Sequence, residues 1–213
     1  FYAIRDSIRY DPYQMQATAE HYKASYAVTH ESSYCIPKAN LLVACARRVG
    51  IPAAIGLSDV TNHMCTERLR KVIGDTDLFP HHGYAAMLLD GEWIKAAPAF
   101  NIQLCDKFDV TPTEFNGRHD ALLQQFNKHG QKHMEYVRDN GIWSDFPYER
   151  VLNDFVEFYP TSIFEDLARE RALNDADRQA GNLVLPQHFV TGVARAFGVG
   201  SAEVRHRLVL AQA

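Results

Sequence analysis

The chain has 213 residues, which suffices for one large domain or one domain with a modest extension, and which excludes a disulfide-stapled miniprotein. Its 46% hydrophobic and 23% charged residues are ordinary for a globular protein and exclude a disordered or fibrous chain. The net charge of −4 argues against a broad basic surface for nucleic-acid phosphates or anionic lipid.

Two further properties of the sequence concern the compartment. No stretch approaches the roughly 18 uninterrupted apolar residues of a membrane span, and residues 1–10 lack the apolar core of a secretory signal. The cysteines show neither the paired spacing nor the density of a secreted scaffold, which predicts free thiols. We therefore expect a cytoplasmic chain with no membrane partner.

Apolar periodicity and turn residues predict a mixed fold of helices and strands. The most regular helix covers residues 37–49, where apolar residues recur at steps of three and four, Pro37 suits the first turn and Gly50 supplies the stop. The other predicted elements, in chain order, are helices over residues 1–10 and 18–26, a strand over 51–57, a hairpin over 84–97, helices over 132–139, 149–157 and 163–174, and two helices in the last thirty residues.

The hairpin prediction rests on its turn. Asp90-Gly91 is a favoured dipeptide of two-residue hairpin turns, and strand-like segments flank it on both sides. This turn predicts a register in which His82 faces Ala99. The neighbouring His81 would then point to the opposite face, because side chains alternate along a strand, so only one histidine of the pair can serve a given site.

Cys35 is the candidate nucleophile. It lies just before the helix predicted over residues 37–49, where unpaired backbone amides and the helix dipole lower a thiol pKa, so it should be the most readily alkylated thiol. Cys45 falls on the apolar stripe of that helix, and a small buried hydrophobe is also the ordinary alternative for Cys35. His82 is the candidate base, since a cysteine at a helix start facing a histidine on a sheet is an arrangement used for acyl transfer.

Other histidines raise the question of a metal site. His129 and His133 lie four residues apart, but the residues between them lack the glutamate of a zinc-peptidase motif. His63 and Cys65 form an equally weak pair, and the single glycines form no phosphate-binding loop. The sequence therefore predicts neither a metal nor another cofactor.

Two motifs resemble a known family. Cys35 to Leu42 (CIPKANLL), continued by Ala46 to Ala53 (ARRVGIPA), resembles the nucleophile segment of the transglutaminase-like superfamily. His82-Gly83-Tyr84, followed by residues 88–93 (LLDGEW), is similar to its histidine strand and hairpin. The two motifs occur in the superfamily's order, and the resemblance covers roughly residues 1–150.

The resemblance implies a papain-like α+β core, in which a helix carrying the cysteine packs on an antiparallel sheet carrying the histidine and an acidic partner. It also implies a thiol-dependent hydrolase of a peptide or amide substrate, of the bacterial peptidase or amidase type, with transamidating transglutaminases as a subset. The position of the family's aspartate is Ala97 here. A second class of function is therefore a fold that has weakened or lost its chemistry and serves as a binding or scaffold module.

Asn101 is the candidate to replace that aspartate. In the predicted register it is a diagonal neighbour of His82 on the same face, and an amide oxygen can hold the imidazole tautomer as in Cys-His-Asn enzymes. The alternative is that Asn101 caps the turn into Ile102.

The C-terminal residues predict a separate helical extension. Residues 193–208 have the rhythm of a helix-turn-helix, with Gly198 at the turn. Three arginines beside Glu203 form only a thin phosphate-binding surface, which favours a helical hairpin packed on the main domain over a nucleic-acid partner. We predict a transglutaminase-like domain over residues 1–160 and a helical extension over 161–213.

Overall fold

A computed structural model describes residues 1–176 of the chain. Its helices are α1 (Tyr2–Ser7), α2 (Ala24–Thr29), α3 (Cys35–Arg48), α4 (Glu67–Val72), α5 (Ile102–Lys107), α6 (Tyr148–Phe158) and α7 (Ile163–Ala176), with 3-10 turns at Pro12–Gln14 and Ala19–Tyr22. Its strands are β1 (Arg9–Tyr10), β2 (Ser32–Ser33), β3 (Ala53–Asn62), β4 (Leu78–Leu89), β5 (Glu92–Ala96) and β6 (Met134–Trp143). Helices combined with an antiparallel sheet confirm the predicted α+β class. The helical hairpin predicted near the C-terminus lies outside the described residues.

Helix α3 carries Cys35 at its first position and packs against β4. It begins two residues before the predicted helix, with Pro37 in the first turn, where the missing backbone N–H has no intrahelical partner to lose. It ends just before Gly50, whose φ of +81 is a conformation that glycine adopts without strain. The buried face of α3 consists of Cys35, Ile36, Pro37, Lys38, Ala39, Leu41, Leu42, Val43 and Ala46.

The main sheet is antiparallel with strand order β5-β4-β3-β6. The hairpin between β4 and β5 is confirmed, because Leu89 pairs with Glu92 across the turn. Asp90 and Gly91 have φ values of 50 and 89, as a type I′ turn requires. Strand β4 is therefore central, and its residues reach the N-terminal end of α3.

The register predicted beyond the hairpin is wrong. Strand β5 ends at Ala96, two residues before Pro98, which has no N–H to continue the ladder. His82 is paired with Ser58 of β3, on the other side of β4, and not with Ala99. The segment after β5 is therefore free to turn away from the sheet.

The helix predicted over residues 132–139 is also wrong, because most of this segment belongs to β6, which pairs with β3. Met134 is buried and Tyr136 half-buried, whereas Glu135 and Val137 are exposed, which is the period-two pattern of a strand. The local pattern of so short a segment does not decide between helix and strand. Pairing with the open edge of β3 does.

The remaining predictions differ from the structure mainly in extent. The helices predicted over residues 149–157 and 163–174 are confirmed as α6 and α7, and the strand over 51–57 is extended into β3. The first predicted helix is confined to α1, and the second is divided between a 3-10 turn and α2. The sequence pattern does not predict α4 and α5.

The helices that follow the sheet pack into the same core as Cys35. Phe155 of α6 and both Ile163 and Leu167 of α7 are at most 2% exposed and belong to the apolar cluster that contains Cys35. Helix α7 therefore packs on the N-terminal part of the chain, while the domain boundary at residue 160 stays a prediction. Within residues 1–176, every helix is too short or too polar to cross a bilayer.

Candidate active site

A cavity opens at the N-terminal end of α3. Its volume is about 660 Å³, counting the space that is open to solvent, and residues from α3, β3, β4, β6, α6 and α7 line it. Cys35 and His82 are both among the lining residues. The structure therefore brings the two principal residues predicted from the sequence to one site.

Gly83 explains how the strand approaches the helix so closely. A Cβ atom at this position would lie 2.8 Å from the Cα of Ile36, a distance that real side chains do not tolerate. With glycine there, the backbone N–H of Gly83 reaches the sulfur of Cys35, and the N–H groups of Ile36 and Cys35 itself also donate toward it. The sulfur therefore lies in a small nest of backbone donors at the helix start.

The protonation state of Cys35 differs from the sequence-based expectation. Burial raises the pKa of the Cys35 thiol to about 11, and the backbone N–H groups of Gly83, Ile36 and Cys35 lower it only in part. The predicted low pKa is therefore wrong for the free protein, because desolvation of a thiolate outweighs the helix start. In the free protein we therefore expect the half-buried Cys65, rather than the buried Cys35, to be alkylated first.

His82 is also held in its neutral form. Its side chain is buried, and burial lowers the pKa of the imidazole to about 4. The ring of Tyr136 meets it edge-on, with ring centroids 5.9 Å apart. Among the described residues, no hydrogen-bond partner reaches the buried Nε2 atom of His82. The Nε2 atom of His82 is therefore available for proton transfer.

His81 also lines the cavity, contrary to the alternation expected along a strand. Its φ is 58, and the pairing of β3 with β4 shifts between Ser58 and Val60, which marks a bulge. The irregular backbone therefore places both residues at the cavity wall. Which histidine serves the site therefore depends on what each ring contacts.

The ring of His81 is fully hydrogen-bonded. Its Nε2 atom lies 2.7 Å from the Oδ2 atom of Asp154 on α6, and Asn140 Nδ2 donates to its Nδ1 atom at 3.4 Å. Its backbone N–H donates to Asp59 Oδ1 at 3.1 Å. Both ring nitrogens are occupied, so His81 ties α6 to the sheet. Nothing in the sequence pairs positions 81 and 154, because the contact depends on how α6 packs.

Asn101 makes other contacts than those predicted. Its Oδ1 atom accepts the backbone N–H of Tyr10 at 2.9 Å, and its Nδ2 atom donates to Gln103 Oε1 at 2.7 Å. It precedes α5 at the N-cap position without a side-chain cap. The predicted hydrogen bond to His82 is therefore not formed, since the strand ends before position 101 comes into register. Ala97, at the position of the family's aspartate, is fully buried.

Lys38 is a buried residue of the site region that sequence reasoning does not identify. One turn after Cys35, its Nζ atom donates to the backbone oxygens of Arg5, Ile8 and Ala99 at 3.0, 2.5 and 2.7 Å. Burial lowers its pKa to about 7. All three of its donors are used, so Lys38 fixes the first turn of α3 against the chain before and after the sheet.

The candidate metal pairs have other partners. The His63 ring lies 3.0 Å from a carboxylate oxygen of Glu135, and His133 Nδ1 lies 3.0 Å from the backbone oxygen of Gln124. Within the described part of the chain, no three His, Cys, Asp or Glu side chains are grouped as metal ligands.

Residues 1–98 match the family model of the transglutaminase-like superfamily. The match includes Cys35, His82 and the buried Ala97. No curated protein and no solved structure matches the chain. The predicted resemblance is therefore confirmed at the level of the superfamily.

Proposed function

We propose that this chain, a member of the transglutaminase-like superfamily over residues 1–98, is a thiol-dependent enzyme that hydrolyses an amide or peptide bond. In this proposal Cys35 is the nucleophile and His82 is the base. The observation that carries it is one cavity lined by both residues, with backbone N–H groups around the sulfur and a buried imidazole nitrogen that has no partner among the described residues.

The proposed reaction begins from a neutral thiol and a neutral imidazole. His82 takes the proton of Cys35 as the sulfur attacks the substrate carbonyl carbon, because separate ionisation of either buried group is unfavourable. The proposed donors to the tetrahedral oxyanion are the backbone N–H groups of Gly83, Ile36 and Cys35 that surround the sulfur in the free protein. His82 then gives the proton to the leaving amine, the C–N bond breaks, and a thioester remains on Cys35.

Water completes the cycle. His82 accepts a proton from the water that attacks the thioester, the carboxylic acid leaves, and the proton returns to the sulfur. An amine in place of water would make the enzyme a transglutaminase. Incubation with an amine donor and a glutamine-bearing protein separates the two, because hydrolysis releases ammonia without incorporating the amine.

A fold without catalysis is the second candidate function. The observation that favours it is Ala97, which provides no polar atom where the family has its acidic residue, while the described contacts of Asn101 go elsewhere. A binding or scaffold module would keep the cavity and need no reactive thiol. The retained Cys35 and His82 support the enzyme.

The discriminating experiment is turnover of a panel of acyl-amide substrates by the wild type, Cys35→Ala and Cys65→Ala. Cys65 is the matched control, since it is a free, half-buried thiol. The enzyme predicts activity that Cys35→Ala abolishes and Cys65→Ala leaves within about twofold. A rate that survives Cys35→Ala would contradict the assignment.

The cellular location belongs to the same proposal. All four cysteines are free in the structure, which supports a reducing, cytoplasmic compartment. A peptide or amide is the proposed partner, and a nucleic-acid partner is not part of the proposal.

A further inference from the structure

The walls of the cavity around Cys35 are apolar. Aromatic side chains line much of it, and aliphatic ones line most of the rest; the aromatic residues are Tyr10, Tyr34, Phe79, Phe155 and Tyr159. Among the described lining residues, none is Asp, Glu, Lys or Arg.

Burial favours the neutral forms of Cys35, His82 and the tyrosines of the cavity wall. Burial lowers the pKa of His82 to about 4, which disfavours a cation, and raises the pKa of Cys35 to about 11, which disfavours an anion. Burial also raises the pKa values of the Tyr10 and Tyr159 hydroxyls. A charged ligand side chain would lose hydration in this cavity, and no charged side chain among the lining residues would compensate for that loss.

Part of this wall lies beyond the residues that match the superfamily. Met134 comes from β6, Phe155 and Tyr159 from α6 and its C-terminal end, and Leu167 from α7. The hydrogen bond between His81 and Asp154 fixes α6 to the sheet at 2.7 Å, so this wall is held against the nucleophile. Selectivity at the cavity is therefore a property of this chain's own C-terminal helices as much as of the shared core.

We propose that the cavity binds an uncharged, apolar side chain on the residue whose carbonyl carbon Cys35 attacks. The inference rests on the proposed function, because it takes Cys35 as the attacking group. The enzyme then discriminates against substrates with an acidic or basic residue at that position.

The test measures how fast Cys35 is alkylated by N-acetyl-aminoacyl chloromethyl ketones of Phe, Leu, Glu and Lys. The sulfur displaces chloride, so a C–S bond forms, the C–Cl bond breaks and the thiol proton is released to buffer. Peptide mass spectrometry follows Cys35 and Cys65 in the same sample. We expect the Phe and Leu reagents to label Cys35 at least about 30-fold faster than the Glu and Lys reagents, with no such preference at Cys65.

A matched pair of variants tests the location of the subsite. Asn62 lines the cavity, and its Oδ1 atom accepts the backbone N–H of Met64 at 3.0 Å. Asn116 is exposed and accepts the backbone N–H of Arg118 in the same way at 2.9 Å. Asn62→Asp should raise the rate of the Lys reagent relative to the Phe reagent by about tenfold, whereas Asn116→Asp should leave the ratio unchanged.

Equal labelling of Cys35 by all four reagents, faster labelling by a charged one, or no labelling at all would overturn the inference, as would an unchanged ratio in Asn62→Asp. His82→Ala separates this inference from the proposed function. If His82 is the base, the variant slows labelling by every reagent and keeps the preference. A preference that persists with unchanged rates would remove His82 as the base and leave the apolar subsite in place.

Discussion

Two adjacent histidines of β4 line one cavity in opposite states. His81 has both ring nitrogens engaged, with Asp154 and Asn140, whereas the Nε2 atom of His82 is buried with no partner among the described residues. A fully hydrogen-bonded imidazole links the elements that carry its partners. It has no unpaired nitrogen left for proton transfer. An unpaired imidazole is unfavourable for stability and available for chemistry. The comparison supports a structural role for His81 and the proposal that His82 is the base.

The largest effect that would break this comparison is the loss of His82. We expect His82→Ala to reduce kcat/KM by about 10³-fold, since the proposed base is lost while the ring nitrogens of His81 are engaged with Asp154 and Asn140, and to leave the melting temperature close to that of the wild type. Steady-state kinetics and thermal unfolding measure the two. A variant that retains more than a tenth of the wild-type activity would transfer the base to another residue.

The protonation states give the next largest effect. With a pKa of about 11, the thiolate fraction of Cys35 rises about tenfold per pH unit through the neutral range, so alkylation by iodoacetamide should rise about 100-fold between pH 7 and pH 9. The pH dependence of labelling, read by peptide mass spectrometry, checks this. A plateau already reached below pH 7 would instead show a preformed thiolate–imidazolium pair.

Removing the partner of His81 should affect stability more than catalysis. Asp154→Ala leaves the buried Nε2 atom of His81 without its acceptor at 2.7 Å, so we expect a loss of about 2 kcal/mol in the free energy of unfolding. Activity per folded molecule should stay within about threefold. Denaturant unfolding and active-site titration separate the two effects, and a normal stability with a 100-fold lower turnover would make His81 the catalytic histidine.

How far the sequence anticipates this site depends on the range of the contacts involved. The hairpin turn at Asp90-Gly91 and the position of Cys35 at a helix start follow from local residue preferences, and both are confirmed. The left-handed backbone of His81 and the buried ammonium of Lys38 depend on distant segments that meet only in the folded chain. The periodicity of apolar residues in the sequence does not indicate such contacts.

The same distinction explains the error over Asn101. The expected orienting bond required β5 to run beyond Pro98, and a local rule extended the ladder where a proline ends it. The superfamily motifs do point to Cys35 and His82 as candidates, because both lie close to sequence landmarks, and the structure places both at one cavity. The apolar wall from α6 and α7 has no such landmark and becomes visible only in the packing.

A carboxylate beside His82 would sharpen the comparison between the two histidines, because His82 would then have a carboxylate partner as His81 has in Asp154. We expect Ala97→Asp to raise activity by about tenfold if the position overlooks the ring, because a carboxylate stabilises imidazolium. The pH dependence of kcat/KM should shift with it, since the His82 pKa rises. Unchanged kinetics in a folded variant would place Ala97 out of reach of the ring.

The smallest effect is expected at Asn101. Its contacts with Tyr10 and Gln103 predict that Asn101→Ala loses about 1 kcal/mol of stability and keeps turnover within about twofold. Chemical denaturation measures the loss of stability, and turnover at one substrate concentration measures the activity. A tenfold loss of activity without a loss of stability would restore Asn101 as the residue that orients His82.

The central claim is that Cys35 forms a covalent acyl intermediate with the help of His82. Intact-mass measurement during turnover of an N-acetyl-phenylalanyl ester, with rapid acid quench, tests it directly. The account predicts one acyl adduct that maps to Cys35, is absent from Cys35→Ala and forms at least about 100-fold more slowly in His82→Ala. An adduct on another residue, or an equal rate of acylation without His82, would contradict it.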